Sequence, residues 1–310
     1  MNAGIIAQQI VILFLMMLAG YVAFKKGMIG EEGTKNLSSL ILNIFGPCLL
    51  VASVLNKEIP YGARMVAENV LLVAVFFIIL IFMSRLVTSI AKLPPEQVNC
   101  YRLMLIFPNL GFMGIPLVQS VYGGAAVIFV AFYMMAYNFL IYTYGILLAA
   151  GAGKPASGKQ EIPWRKMCNM GTFSCIIAVL VFAFHIRVPK LAGDFVATMG
   201  NASVPLSMMA VGIMIAKSDL KSIIMDKRQL LFMAINMLII PILCIPVMRL
   251  LPIDEVSYGI FVLMMAMPVG SMAVLIEKEY GHSDGTILAQ SIALSSVVSV
   301  VTIPIVTFLA

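Results

Sequence analysis

Along the chain the charged residues fall in clusters, and nine stretches between them contain no Lys, Arg, Asp or Glu: 1–24, 36–56, 69–84, 103–153, 167–186, 195–216, 229–248, 256–276 and 285–310. A helix needs about 20 apolar residues to cross a bilayer core, so each stretch reads as a membrane span. The stretch 103–153 is long enough for two spans and breaks at Tyr122-Gly123-Gly124. The pattern predicts an all-α membrane protein of ten transmembrane helices.

Composition agrees with the pattern. Of the 310 residues 62% are hydrophobic and 11% charged, against about half and a quarter in soluble domains. Fifteen of the 20 Lys and Arg residues fall on one side if both termini face outward. By the positive-inside rule this predicts outward termini in the cytoplasmic membrane. The net charge of +6 follows from this topology and does not mark a nucleic-acid partner; the bilayer is the expected surroundings. The first span lacks basic residues ahead of it and carries Lys25-Lys26 behind it, the wrong polarity for a secretory leader. The five cysteines are scattered without a Cys-x-x-Cys, so no metal site, cofactor or disulfide framework is expected.

The polar segment 151–166 divides the spans into five and five, giving a first repeat over 1–150, a cytoplasmic linker and a second repeat over 167–310. An odd number of spans per half inverts the second half relative to the first. Two signals at one offset support such a repeat. Asn43 and Pro47 in span 2 recur as Asn201 and Pro205 in span 7, 158 positions on. Spans 4 and 9 each carry a central proline, Pro108 or Pro268, and close on Tyr-Gly, again 158 positions apart at Tyr122 and Tyr280.

Span 4 reads FPNLGFMGIPL, with Pro108, Asn109, Gly111, Gly114 and Pro116 in the middle of a span. Proline removes an amide donor and crowds the preceding turn, and glycine weakens a helix interior, so the span should break. Span 9 repeats the device with Pro268, Val269, Gly270 and Ser271. Backbone exposed at bilayer depth is tolerated only where protein or a water-filled cavity satisfies it, and paired breaks at a repeat interface point to a substrate site. With no charged residue at the centre of a span, an anionic ligand would meet half-helix amino termini and the Asn109 amide. Asn138 in span 5, and Gln290, Ser291, Ser295, Ser296 and Ser299 in span 10, either line the same cavity or bond between helices. Arg85 reads as an interfacial anchor, and His185 and Glu277-Lys278-Glu279 as solvated helix ends.

Four segments together resemble the auxin efflux carrier family, which includes plant PIN-type auxin exporters and bacterial malate and malonate permease-like proteins. They are LMMLAGYVAFKKGMIGEEGTKNLSSLILNIFGPCLL, FPNLGFMGIPLVQSVYG, MPVGSMAVLIEKEYG followed by Asp284, and SSVVSVVTIPI. The resemblance implies crossover helices in spans 4 and 9, and an elevator-like motion of spans 3 to 5 and 8 to 10 against spans 1, 2, 6 and 7. It also implies carboxylate substrates. Plant members place a polar residue where this chain has Val269, which counts against auxin itself as the ligand. The expected function is secondary transport of mono- or dicarboxylates, with an anion channel or a non-transporting sensor as the alternatives; a homodimer is one assembly open to it. An enzyme is not expected, since no Walker loop, His-Glu-x-x-His or intramembrane Asp pair is present.

Overall fold

The structure, a computed structural model, describes residues 3–56, 61–151, 168–217, 227–281 and 285–310. Apart from Gly151, the polar connection expected over 151–166 lies outside the described residues. Every regular element among those described is helical: α1 (Ala3–Lys25), α2 (Glu31–Ala52), α3 (Ala63–Ile90), α4 (Pro95–Ile106), α5 (Leu110–Tyr122), α6 (Gly124–Ala150), α7 (Met170–Phe184), α8 (Lys190–Lys217), α9 (Arg228–Arg249), α10 (Glu255–Met265), α11 (Met272–Tyr280) and α12 (Thr286–Leu309). Six of them, α2, α3, α6, α8, α9 and α12, are long and apolar enough to cross a membrane, and shorter apolar helices accompany them. Their outer faces carry large apolar side chains in the open, such as Leu71, Ile78 and Phe82 on α3. Contiguous apolar surface of this kind is what lipid covers.

The break expected after Tyr122 is present. Helix α5 ends there, Gly123 takes φ +84°, and α6 begins at Gly124. A side chain rarely adopts that φ, which is why glycine stands at the turn.

Several prolines that a straight helix would reject are absorbed by wide π-helical turns. Such turns cover Ile41–Phe45, Leu110–Gly114 and Ile235–Ile239, and Pro47, Pro116 and Pro241 each follow two residues later. A proline ring clashes with the carbonyl four residues back, and an extra residue in the turn swings that carbonyl aside. Of the two prolines in span 4, therefore, only Pro108 breaks the helix. In α8 the irregularity falls at Ala202, between Asn201 and Pro205. The Asn43 carboxamide bonds back to Ser39 O at 2.9 Å, and Asn43 and Asn201 are both exposed.

Helices α1 and α8 cross with backbones in contact. A Cβ on Gly20 would overlap the Met209 carbonyl, and one on Gly212 would overlap that of Met17. Small residues permit such approach where van der Waals packing, rather than the hydrophobic effect, joins helices. Helix α2 packs on both α7 and α8, where Gly200 faces the Leu49 backbone. Asn56 closes this group by donating to Val188 O at 3.0 Å and accepting from Val188 N at 2.9 Å. Helices α3 to α6 and α9 to α12 form a second group, in which α5 and α12 also lean on α1 and α8 and α6 packs on α7.

Gly20→Ala and Gly212→Ala should each destabilise the detergent-solubilised protein by about 1–3 kcal/mol, the usual cost of overpacking. Thermal unfolding monitored by circular dichroism reads this as a lowered midpoint. An unchanged midpoint in both variants would contradict the backbone contact.

Candidate functional site

The two interrupted helices meet. Helix α4 stops at Ile106 and the chain resumes as α5 at Leu110; α10 stops at Met265 and α11 begins at Met272. Between the halves the two chains run antiparallel, with Pro108 opposite Val269. Asn109 N donates to Pro268 O at 2.7 Å and Gly270 N to Phe107 O at 2.9 Å. The remaining amide of this stretch, Val269 N, donates to Ser295 Oγ of α12 at 3.1 Å. Each unpaired peptide group would be expensive at this depth, so the two breaks satisfy one another.

Gly270 is required by this arrangement. A Cβ there would sit 2.8 Å from both Phe107 O and Pro108 O and 2.9 Å from Tyr137 Oη. The Tyr137 ring packs edge-on to Phe107, with centroids 5.5 Å apart, and so ties α6 to the crossing.

Asn109 caps α5: its Oδ1 accepts from Phe112 N at 3.1 Å and its carbonyl from Gly114 N at 3.1 Å. That fixes the carboxamide orientation and leaves Nδ2 without a partner among the described residues. The side chain is only 5% exposed. On α11, Ala273 N bonds Gly270 O, while Ser271 N and Met272 N have no partner among the described residues. The crossing thus presents donors: one carboxamide N–H₂ and two first-turn amides at a helix amino terminus, where the helix dipole adds partial positive charge.

Of the residues expected at the site, Pro108, Asn109, Pro268, Val269 and Gly270 come together in the crossing. Ser271 begins α11. Gly111 and Gly114 lie on the first turn of α5, with Gly114 against the Met264 thioether. Asn138 does not join them. Although its neighbour Tyr137 reaches Gly270, Asn138 faces α7, its Nδ2 3.9 Å from where a Gly171 Cβ would stand. Asn43, Pro47, Asn201 and Pro205 lie on α2 and α8, away from the crossing pair.

The serines of α12 divide. Ser295 bridges to Val269, whereas Ser296 and Ser299 bond carbonyls of their own helix. Gln290 accepts from Gln229 Nε2 at 3.3 Å. Arg85 is exposed and reaches Tyr144 Oη at 3.3 Å, as an interfacial anchor would. His185 ends α7 in the open.

Glu277 corrects the sequence reading. In place of a solvated end it is 3% exposed, because the last turns of α11 pack against α4 and the end of α6. Gly281 leaves the space its carboxyl fills. Helix-end position in the sequence suggested solvent; burial here depends on packing between distant helices, which no local pattern encodes.

The profile of a family described as membrane transport proteins matches residues 5–307. An uncharacterized transporter of Methanothermobacter thermautotrophicus is 20% identical over 302 residues, 96% of each chain. Another, from Methanocaldococcus jannaschii, is 24% identical over 219 residues, covering 68% of this chain and 70% of its own. A Schizosaccharomyces pombe uncharacterized transporter is 33% identical over 107 residues, 33% of this chain and 23% of its own. A multi-pass helical membrane protein with paired helix breaks is the class these observations define. The chain belongs to the membrane transport protein family, that of the auxin efflux carriers.

Gly270→Ala should part the two breaks and cost about 1–3 kcal/mol in stability through overpacking. A lowered thermal midpoint with α-helical content retained is the expected result; a midpoint equal to the parent's would contradict the packing around Gly270.

Proposed function

We propose that this protein is a secondary transporter of small organic anions, mono- or dicarboxylates, working by alternating access across the cytoplasmic membrane. The observation that carries the reading is the antiparallel pairing of two broken helices at Pro108 and Val269. Continuous helices need no such arrangement, and interrupted ones place free amides at depth, where an anion can replace water. The unpartnered Asn109 Nδ2 and the open first turn of α11 supply donors without a fixed cation, so a carboxylate is held by hydrogen bonds weak enough to release.

In this reading the chain has ten spans, with α4–α5 and α10–α11 each counted as one broken span, arranged as two inverted repeats of five. Helices α1, α2, α7 and α8 form the stationary group. The other helices carry the crossing past it in an elevator-like motion. The close α1–α8 contact and the Asn56–Val188 clamp support a stationary role for that group. Both termini face outward and the segment 151–166 faces the cytoplasm.

Uptake of labelled carboxylates into proteoliposomes tests the function. Saturable uptake, accelerated by unlabelled substrate on the opposite side, is expected; flux linear in concentration and indifferent to the opposite side would make it a channel. Asn109→Ala should raise KM about 5- to 150-fold, the equivalent of roughly 1–3 kcal/mol for a buried polar group left unpaired. Unchanged transport in a well-folded Asn109→Ala protein removes Asn109 from the site.

The topology is read by cysteine labelling in intact cells. Ala310→Cys is expected to react with an impermeant reagent before Ser157→Cys, and the reverse order inverts the assignment.

For energy coupling, the expected driver is the membrane potential acting on the anion, with no pH or sodium gradient. A carrier that passes protons through protein exposes a titrating group at depth, and Glu277 is the buried carboxylate that would serve. Transport that needs a pH gradient in the parent and loses that dependence in Glu277→Gln would transfer the coupling to this residue.

A further inference from the structure

Past the end of α7 the chain turns through His185 to Pro189 and enters α8 at Lys190. Helix α8 is long enough to cross a membrane, so its first turn lies at one membrane surface. Beside that turn is a cavity of about 690 Å³, within the size range of ligand pockets. Asn56, His185, Arg187, Lys190 and Asp194 line it. The Asn56 carboxamide holds Val188 at both N and O, at 2.9 and 3.0 Å, and so fixes the turn that presents His185 and Arg187.

Charge in this lining is unbalanced. Arg187 and Lys190 have no ion pair and no side-chain hydrogen bond among the described residues. Asp194 shares the cavity but pairs with neither, so two cations meet one carboxylate and positive charge is left over. Lys190 also opens α8, where the helix dipole adds partial positive charge. A guanidinium and an ammonium beside a helix amino terminus are the donors that suit a phosphate group.

The apolar surroundings say which phosphate. Buried Val54 and Val181 belong to the same lining, an apolar part that a small inorganic anion leaves unfilled. On α8, Leu191 and Phe195 form an i, i+4 stripe next to that of Lys190 and Asp194. Both are exposed, as is Phe184 at the end of α7. This stripe leads from the cavity along a membrane-crossing helix, the path an acyl chain takes. We infer that the cavity binds the headgroup of an anionic phospholipid, its phosphate against Arg187 and Lys190 and its chains along Leu191 and Phe195. Such a lipid ties together the ends of α2, α7 and α8, within the stationary group of the function proposed above. No residue of the crossing lines the cavity, so the lipid and the crossing are separate sites.

The test uses the full-length protein purified in detergent. Thermal unfolding is followed while phosphatidylglycerol, phosphatidylcholine with the same chains, or inorganic phosphate is titrated at equal ionic strength. Phosphatidylglycerol should raise the parent's midpoint saturably, and the other two should not. Arg187→Gln and Lys190→Gln should keep the lipid-free midpoint, since neither side chain has a partner to lose. Each should raise the half-saturating concentration about fivefold, and the double variant roughly thirtyfold. Asp194→Asn should lower that concentration, a gain that no folding defect imitates. Arg64→Gln removes an exposed cation that pairs with Glu68 outside the cavity and should change nothing. Parent-like phosphatidylglycerol binding in the double variant would overturn the site, as would an equal response to phosphatidylcholine or an equal loss in Arg64→Gln. Inorganic phosphate acting as strongly as phosphatidylglycerol would overturn the lipid assignment, because a free anion would then be the occupant.

Discussion

The cost of an unpaired peptide group in a low-dielectric interior governs this architecture. A helix broken in mid-membrane frees several amides and carbonyls, each worth several kcal/mol if left in hydrocarbon. One break alone has no partner of matching shape. Two breaks laid antiparallel form a short ladder, and Asn109 N to Pro268 O and Gly270 N to Phe107 O are its rungs. Gly270 follows from that constraint, since the rungs leave no room for a Cβ. Ser295 follows from it too, because Val269 N points away from the ladder and needs an acceptor on another helix. Pro108 has no N–H to satisfy, which suits the position opposite Val269.

The same economy explains why donors remain unspent at the crossing. Asn109 spends its carbonyl and Oδ1 on the first turn of α5, so its Nδ2 is left over by construction. A side chain bonded at every atom would be structural only; one bonded at all but one, and held in a single orientation by the others, offers a fixed donor. Under the function proposed above, such a donor would meet a ligand without reordering itself.

The sequence disclosed these breaks because they are written in local chemistry. Pro108 and Pro268 with their glycines cannot sit in a straight helix, and Gly123 marks a turn that only a glycine conformation allows, so the double-length apolar stretch divides where the pattern says. The wide turns before Pro47, Pro116 and Pro241 were not legible, because they depend on how a helix relieves a clash and not on residue type alone. Glu277 and Asn138 were misjudged or left open for a related reason. Burial of the one and the orientation of the other are set by helices distant in sequence, α4 and α7, whose packing has no periodic signature. Nothing in the residues around Gly20 and Gly212 marks the main chain that faces them.

Those two glycines also bear on how such a sequence can drift over evolutionary time. In most cores a bulkier residue at one position is accommodated by a smaller one opposite, so the pair wanders through sequence space together. Opposite Gly20 and Gly212 stand main-chain carbonyls, those of Met209 and Met17, and no exchange of side chains can shrink a carbonyl. Compensation is closed off at both places. A lineage that gains a methyl at either one must move a whole helix to survive it, and with that helix the frame against which everything else is positioned.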